Sequence, residues 1–237
     1  MKIAEKIDIC RFKNGEFYEL SDLTVNEMRL ELKIKDVVQR EMYCSPTELD
    51  ELIWGHLFSQ GYINSIDDVV SVTVDEQAAV AIAEINRNYT DSGVSEVQQQ
   101  AGQECLFDIN MIKVNQARFY EESTLQKETA GVHRCALCNN EGTLFACVDV
   151  SRHNAFDKVV GKALLQGVSL SDKYIITSGR VPYDMVKKAV NIHIPMIVSR
   201  SATTIAAVEA ANKANMTLLG FSRDERFNIY CGKQRLY

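Results

Sequence analysis

The chain has 237 residues, 46% of them hydrophobic and 24% charged, with 3 Pro and 12 Gly. That profile belongs to an ordinary globular protein long enough to bury a core without disulfide staples, and it excludes a disordered chain, a collagen-like chain and a coiled-coil rod. A net charge of −6 speaks against a broadly basic nucleic-acid binder but leaves room for a local basic pocket. The start, Met1-Lys2-Ile3-Ala4-Glu5-Lys6-Ile7-Asp8, is charged and has no apolar h-region, so no secretory signal is expected. No stretch reaches the roughly 18 apolar residues of a membrane span. The 7 Cys are an odd number, scattered along the chain, and are expected to be reduced thiols of a cytoplasmic protein.

In chain order, Met28, Leu30, Leu32 and Ile34 alternate with polar residues and predict a half-buried strand. Ser45-Pro46-Thr47-Glu48 reads as the N-cap, N1 and capping-box N3 of a helix over 46–60, with Leu49, Leu52, Ile53 and Leu57 on its apolar stripe and Gly61 at C′. Val70, Val72 and Val74 alternate again, as do Val80 and Ile82. Residues 87–105 are polar and without period, which predicts a long exposed loop, functional or mobile. A helix is predicted over 109–127 and a hairpin over 133–149, turning on Asn139-Asn140-Glu141-Gly142. Then follow a helix at 153–166, a strand at 173–177, a helix at 182–191, a strand at 195–199, a helix at 203–214 and strands at 216–221 and 226–231. Helices alternating with short apolar strands predict an α/β class with a layered, at least partly parallel sheet. The expected division is a smaller strand-rich α+β domain over 1–107, including the 87–105 loop, and an α/β domain over 108–237.

Four of the later strands end in the same chemistry: Ser151-Arg152-His153, Ser178-Gly179-Arg180, Ser199-Arg200-Ser201, and Ser222-Arg223 continuing to Arg226. In a parallel α/β sheet the carboxyl ends of the strands share one edge, and ligands bind there. Helix N-termini favour anions, and Arg supplies permanently charged bidentate donors. The cluster therefore points to a pocket for a phosphorylated ligand; the plainer reading has the Ser residues capping helices and the Arg residues in surface ion pairs. His153 reads equally as a base or phosphate ligand and as a packing residue. His56 reads as structural. Asp157 and Lys158 either meet the pocket or lie on a solvated first turn.

The sequence has no Walker A, GxGxxG, GxSxG or HExxH motif. Cys135-Ala136-Leu137-Cys138 is a CxxC, but on a strand i and i+3 point to opposite faces, so the two sulfurs would neither pair nor share a metal. No second CxxC closes a zinc site, and His133-Arg134-Cys135 lacks the Glu of a deaminase signature. Buried structural thiols are favoured over a thiol redox pair, and no metal site is expected.

Taken together the motifs resemble those of the FdhD family, accessory sulfur carriers of formate dehydrogenase. Ser45-Pro46-Thr47-Glu48-Leu49 through Gly55-His56-Leu57 to Gly61 is similar to the family's early helix. Gly131-Val132-His133 resembles its G-x-H turn, and Asp149 through Lys158 its D-V-G-R-H-N-A-x-D-K signature, with Ser151 in place of the usual Gly. Ser178-Gly179-Arg180, Val198 through Thr203, and Gly220-Phe221 through Arg226 follow in order. The resemblance implies a cytidine-deaminase-like C-terminal domain without zinc, a homodimer, and transient binding of molybdenum bis(molybdopterin guanine dinucleotide). The cofactor-binding stretch would fall on Phe221, Ser222, Arg223, Asp224, Glu225 and Arg226, beside Ser178, Arg180, Ser199, Arg200, Arg152 and His153. A cysteine desulfurase would hand over persulfide sulfur for the cofactor before its insertion into formate dehydrogenase. Where the family's loop carries C-G-V-C, this chain has Ser92-Gly93-Val94-Ser95, and a hydroxyl cannot carry a persulfide. Cys105 lies ten residues beyond Ser95. Two functions are thus expected as rivals: a sulfur carrier, or a cofactor-binding scaffold without sulfur transfer.

Overall fold

The computed structural model describes residues 1–86, 105–223 and 226–237. A two-stranded antiparallel ribbon comes first, β1 (Ala4–Lys13) and β2 (Glu16–Val25), turning on Asn14 and Gly15, both at positive φ. Asn-Gly between Phe12 and Phe17 is a strong two-residue hairpin signal, and it is not among the motifs drawn from the sequence above.

A four-stranded sheet follows in the order β4-β3-β6-β5, made of β3 (Met28–Ile34), β4 (Val38–Cys44), β5 (Val69–Asp75) and β6 (Val80–Ile85). Helix α1 (Leu49–Ser59) shares a core with it, joining Leu52, Ile53 and Leu57 to Leu30, Leu32 and Ile34. On β6 the predicted face is inverted: Ala81 and Ala83 are buried while Ile82 is 48% exposed. β6 is an interior strand, and at its centre the side that joins the helix-packed core takes the small Ala81 and Ala83, with Ile85 packed at the core's margin.

Helix α1 begins three residues later than the capping box predicts, after Glu48 in a left-handed conformation with no side-chain cap. Ser45 is used elsewhere. Its N–H donates to Asp149 at 3.0 Å and its hydroxyl accepts from the Val150 N–H at 3.1 Å. Glu48 pairs with Lys162 at 3.0 Å. The predicted end holds, with Gly61 at φ +78. The helix predicted over 109–127 is two helices, α2 (Ile109–Glu121) and α3 (Thr124–Thr129). The break falls at Ser123, whose hydroxyl and the Arg134 guanidinium both donate to the Phe119 carbonyl and so satisfy the end of α2.

The third sheet has six strands in the order β12-β11-β10-β9-β7-β8. Its elements are β7 (His133–Cys138), β8 (Thr143–Asp149), α4 (Arg152–Leu165), β9 (Tyr174–Thr177), α5 (Tyr183–Asn191), β10 (Met196–Ser199), α6 (Ile205–Lys213), β11 (Thr217–Arg223) and β12 (Arg226–Cys231). Each was legible in the sequence to within a residue or two. β9, β10 and β11 are mutually parallel, and β7 runs antiparallel to both β8 and β9. β8, β9, β10 and β11 therefore point the same way and end at one edge of the sheet. Cys135 packs with Leu137 and α4 on one side, and Cys138 with Ala136 and Phe119 on the other.

The four-stranded and six-stranded sheets meet through α1 and α4. A Cβ on Gly55 would lie 1.8 Å from the Asp157 carbonyl oxygen, and one on Gly161 would lie 1.9 Å from that of Glu51. The two helices thus cross backbone to backbone, which only glycine permits. Among the described residues, no helix is long and apolar enough to cross a membrane.

Candidate functional site

The shared edge is sewn together strand by strand. The Ser199 hydroxyl donates to the Gly179 carbonyl at 2.7 Å and accepts from the Ser201 N–H at 3.0 Å. The Ser201 hydroxyl donates to the Ser178 carbonyl at 2.9 Å. The Phe221 N–H donates to the Ser201 carbonyl at 2.9 Å, and Arg223 Nε to the Arg200 carbonyl at 3.3 Å. At the other end the Ser178 hydroxyl accepts from the Arg134 N–H at 3.0 Å and lies 3.5 Å from His133 Nδ1. Backbone and serine side chains build this frame, and the arginines stand on it.

Arg152, Arg180, Arg200, Arg223 and Arg226 make no ion pair with a carboxylate among the described residues, whereas Arg11, Arg29, Lys33, Lys35, Arg134 and Lys162 each do. Arg223 and Arg226 face each other directly across the β11–β12 pair. Like charges so placed destabilise a sheet, and an anion between them would relieve the repulsion. Arg152 lies against Gly179, and its Nε is buried with no hydrogen-bond partner among the described residues. Phe221 is held at φ +50 and is 38% exposed, so an aromatic ring stands among the cations.

The sequence-predicted residues divide into two groups. Arg152, Ser178, Arg180, Ser199, Arg200, Phe221, Ser222, Arg223 and Arg226 all sit on the strand ends. The hydroxyls of Ser199 and Ser222 are used within the fold, that of Ser222 donating to the Gln116 carboxamide. His153 Nε2 lies 3.5 Å from Asp184 on α5; burial first, then Lys188 and Arg152 against the opposing Asp184, holds its pKa below the ordinary value. Ser151 needs no glycine: its φ is −104 and its N–H donates to Asp149. Ser92, Ser95, Asp224 and Glu225 lie outside the described residues. His133, read from sequence as part of a turn and of an incomplete deaminase signature, borders Arg152 and Ser178; burial and then the Arg152 charge depress its pKa.

Asp157 and Lys158 match neither sequence reading, because both are fully buried. Lys158 pairs with Asp149 at 2.7 Å, and Asp149 also accepts from Ser45, Ser151 and Asn154. This staple fixes the β8–α4 turn from which Arg152 projects. Asp157 accepts from His56, Ser59 and Lys188. Burial alone would lift its carboxyl, but the Lys188 ammonium at 2.5 Å and the His56 hydrogen bond outweigh it and hold the pKa at about 2. His56 is structural, as expected.

Residues 25–237 match the FdhD/NarQ family. The chain belongs to that family. It is 30% identical over 262 residues to a protein of Listeria monocytogenes serotype 4b named sulfur carrier protein FdhD, covering 100% of both chains. A Bacillus subtilis protein of the same name is 30% identical over 258 residues, covering 99% of this chain and 98% of the relative. The crystal structure of a chain from Desulfotalea psychrophila, described as a formate dehydrogenase accessory protein, superposes with a TM-score of 0.88 at 27% identity, covering 100% of each chain.

The thiols complete the site's inventory. Cys44, Cys135, Cys138, Cys147 and Cys231 are buried, Cys105 is half-buried and Cys10 is exposed. Burial pushes Cys44, Cys135 and Cys138 up to about 12, so none of them is a thiolate near neutrality. With its two sulfurs on opposite faces of the sheet, the CxxC is not a redox pair.

Proposed function

We propose that the protein is an accessory factor of formate dehydrogenase that holds the guanine-nucleotide ends of molybdenum bis(molybdopterin guanine dinucleotide) on the strand-end arginines. The observation that carries this reading is the row of Arg152, Arg180, Arg200, Arg223 and Arg226 without carboxylate partners among the described residues, on a frame of serine and backbone hydrogen bonds. These donors fit a pyrophosphate, and the exposed Phe221 ring offers a face to a purine. The names of the relatives support a sulfur carrier; in this reading the sulfur comes from a cysteine desulfurase and reaches the cofactor before its insertion. In this reading the C-terminal α/β layer is cytidine-deaminase-like, residues 1–107 form the smaller domain, and the chain acts as a cytoplasmic homodimer.

The thiol inventory favours a second reading, a scaffold that binds the cofactor without sulfur transfer. Sulfur relay needs a thiolate nucleophile, Ser92 and Ser95 are not thiols, and only Cys10 and Cys105 are even partly accessible. One experiment separates the readings. Radiolabelled cysteine and a cysteine desulfurase are incubated with the full chain, and guanosine diphosphate binding is measured in parallel. Label lost in Cys10→Ala or Cys105→Ala supports the carrier. No label with intact nucleotide binding supports the scaffold. Absence of nucleotide binding would overturn both.

A further inference from the structure

Gln116 and Tyr120 belong to none of the motifs, yet both reach the arginine edge. They are four residues apart on α2 and so share one face of the helix. The Gln116 carboxamide oxygen accepts from the Ser222 hydroxyl, and the Tyr120 hydroxyl donates to the Ser222 carbonyl at 2.6 Å. The end of β11 is thus gripped at one residue by side chain and backbone together. The Tyr120 ring also lies under the Arg200 guanidinium, 4.4 Å from carbon to ring centroid. One helix therefore touches the tips of two neighbouring strands, β10 and β11.

We propose that Tyr120 is a positioning residue for the anion grip: its ring preorganises Arg200, and its hydroxyl, with Gln116, fixes Ser222 so that Phe221 and Arg223 face the same ligand. Stacking leaves the guanidinium edge free to donate to a phosphate while removing much of the freedom a lone exposed Arg would lose on binding. Ser222 is buried while Phe221 and Arg223 on either side of it are exposed, at an irregularity in the β11–β12 register. Phe221 also keeps a left-handed backbone at φ +50, a conformation that persists only where the surroundings over-determine it. The clamp on the next residue, together with the Phe221 N–H bond to Ser201, supplies that constraint.

This inference rests on the phosphate reading of the edge, and the test keeps the two apart. Guanosine diphosphate binding to the full-length variants is measured by calorimetry, with thermal unfolding recorded for each. Tyr120→Leu is expected to weaken binding roughly three- to thirtyfold, and Tyr120→Phe, which keeps the ring, by less than about threefold. The double variant Tyr120→Leu/Arg200→Ala is expected to bind at most about threefold more weakly than Arg200→Ala alone, the hydroxyl's share through Ser222, a non-additivity that general loss of stability would not produce. Should Tyr120→Leu fail to fold, Arg200→Lys tests the same point, because an ammonium neither stacks as a plane nor forks; it is expected to bind about as weakly as Arg200→Ala. Wild-type binding by Tyr120→Leu or by Arg200→Lys would overturn the proposal while leaving the nucleotide reading standing. No binding by the unaltered protein would overturn the nucleotide reading itself.

Discussion

The Arg152 side chain runs along the bare backbone of Gly179: a methyl group built there would stand 2.9 Å from Arg152 Cβ and 3.0 Å from its Cδ. The absence of a side chain on one strand end therefore sets the path of a cation from another. Gly179→Ala forces Arg152 aside. We expect a stability loss of about 1–3 kcal/mol from overpacking and roughly tenfold weaker guanosine diphosphate binding from the displaced charged donor. Urea denaturation and calorimetric titration of the variant measure the two effects separately, and unchanged affinity would remove Arg152 from the site.

The Asp149–Lys158 pair is inaccessible to solvent on both sides. Lys158→Met leaves a buried carboxylate without its counter-charge and is expected to cost about 3–5 kcal/mol. Adding Asp149→Asn should recover part of that loss by removing the buried charge: the amide oxygen can still accept from Ser151 and Asn154, and only the Ser45 N–H loses its acceptor. Denaturant midpoints of the single and double variants check both statements. A double variant as unstable as the sum of the singles would show that the pair's hydrogen bonds, not its charges, hold the turn.

The segments that proved legible from sequence are those whose structure is set locally. From residue 131 onward, short apolar runs and intervening amphipathic stretches reproduced the strands and helices of the six-stranded sheet, and with them the edge where Arg152, Arg180, Arg200 and Arg223 converge. What failed was set at long range. Ser45 suits an N-cap by every local rule, but Asp149 and Val150 compete for it from across the fold. Ala81 and Ala83 rather than Val80 and Ile82 face the core, because the space beneath α1 selects size over hydrophobicity. Tyr120 and Gln116 carried only one usable sign, their i,i+4 spacing, which cannot reveal that Ser222 and Arg200 lie opposite.

Three histidines give the fold a common pH response. Burial is the leading cause that holds His56, His133 and His153 below the ordinary imidazole value of 6.5, even though Asp157 sits 3.1 Å from His56. Below about pH 6.5 the unfolded chain takes up protons that the folded chain does not. Stability is therefore full above that value, falls as the pH drops from it, and levels off once the folded-state histidines protonate. Urea titrations at steps from pH 8 to 5 should show this decline, and His56→Gln should flatten it. A decline of equal slope in His56→Gln would place the response on other groups.

Thiol accessibility is the last test, and it bears on whether sulfur transfer is open to this chain at all. Of the 7 cysteines, five are buried and have pKa values raised by burial, so two separate barriers, access and ionisation, oppose their reaction. Cys10 on β1 is exposed and Cys105 is half-buried. Brief alkylation of the folded protein at pH 8 should add at most two groups by intact mass, with Cys10 faster than Cys105, and alkylation after unfolding should add seven. Native labelling of Cys135 or Cys138 would mean that the six-stranded sheet opens on the timescale of the reaction and would return the CxxC to consideration. If only Cys10 and Cys105 react, any sulfur relay must run through one of them. A doubly substituted Cys10→Ser/Cys105→Ser protein that still bound guanosine diphosphate would then isolate the scaffold activity from any carrier activity.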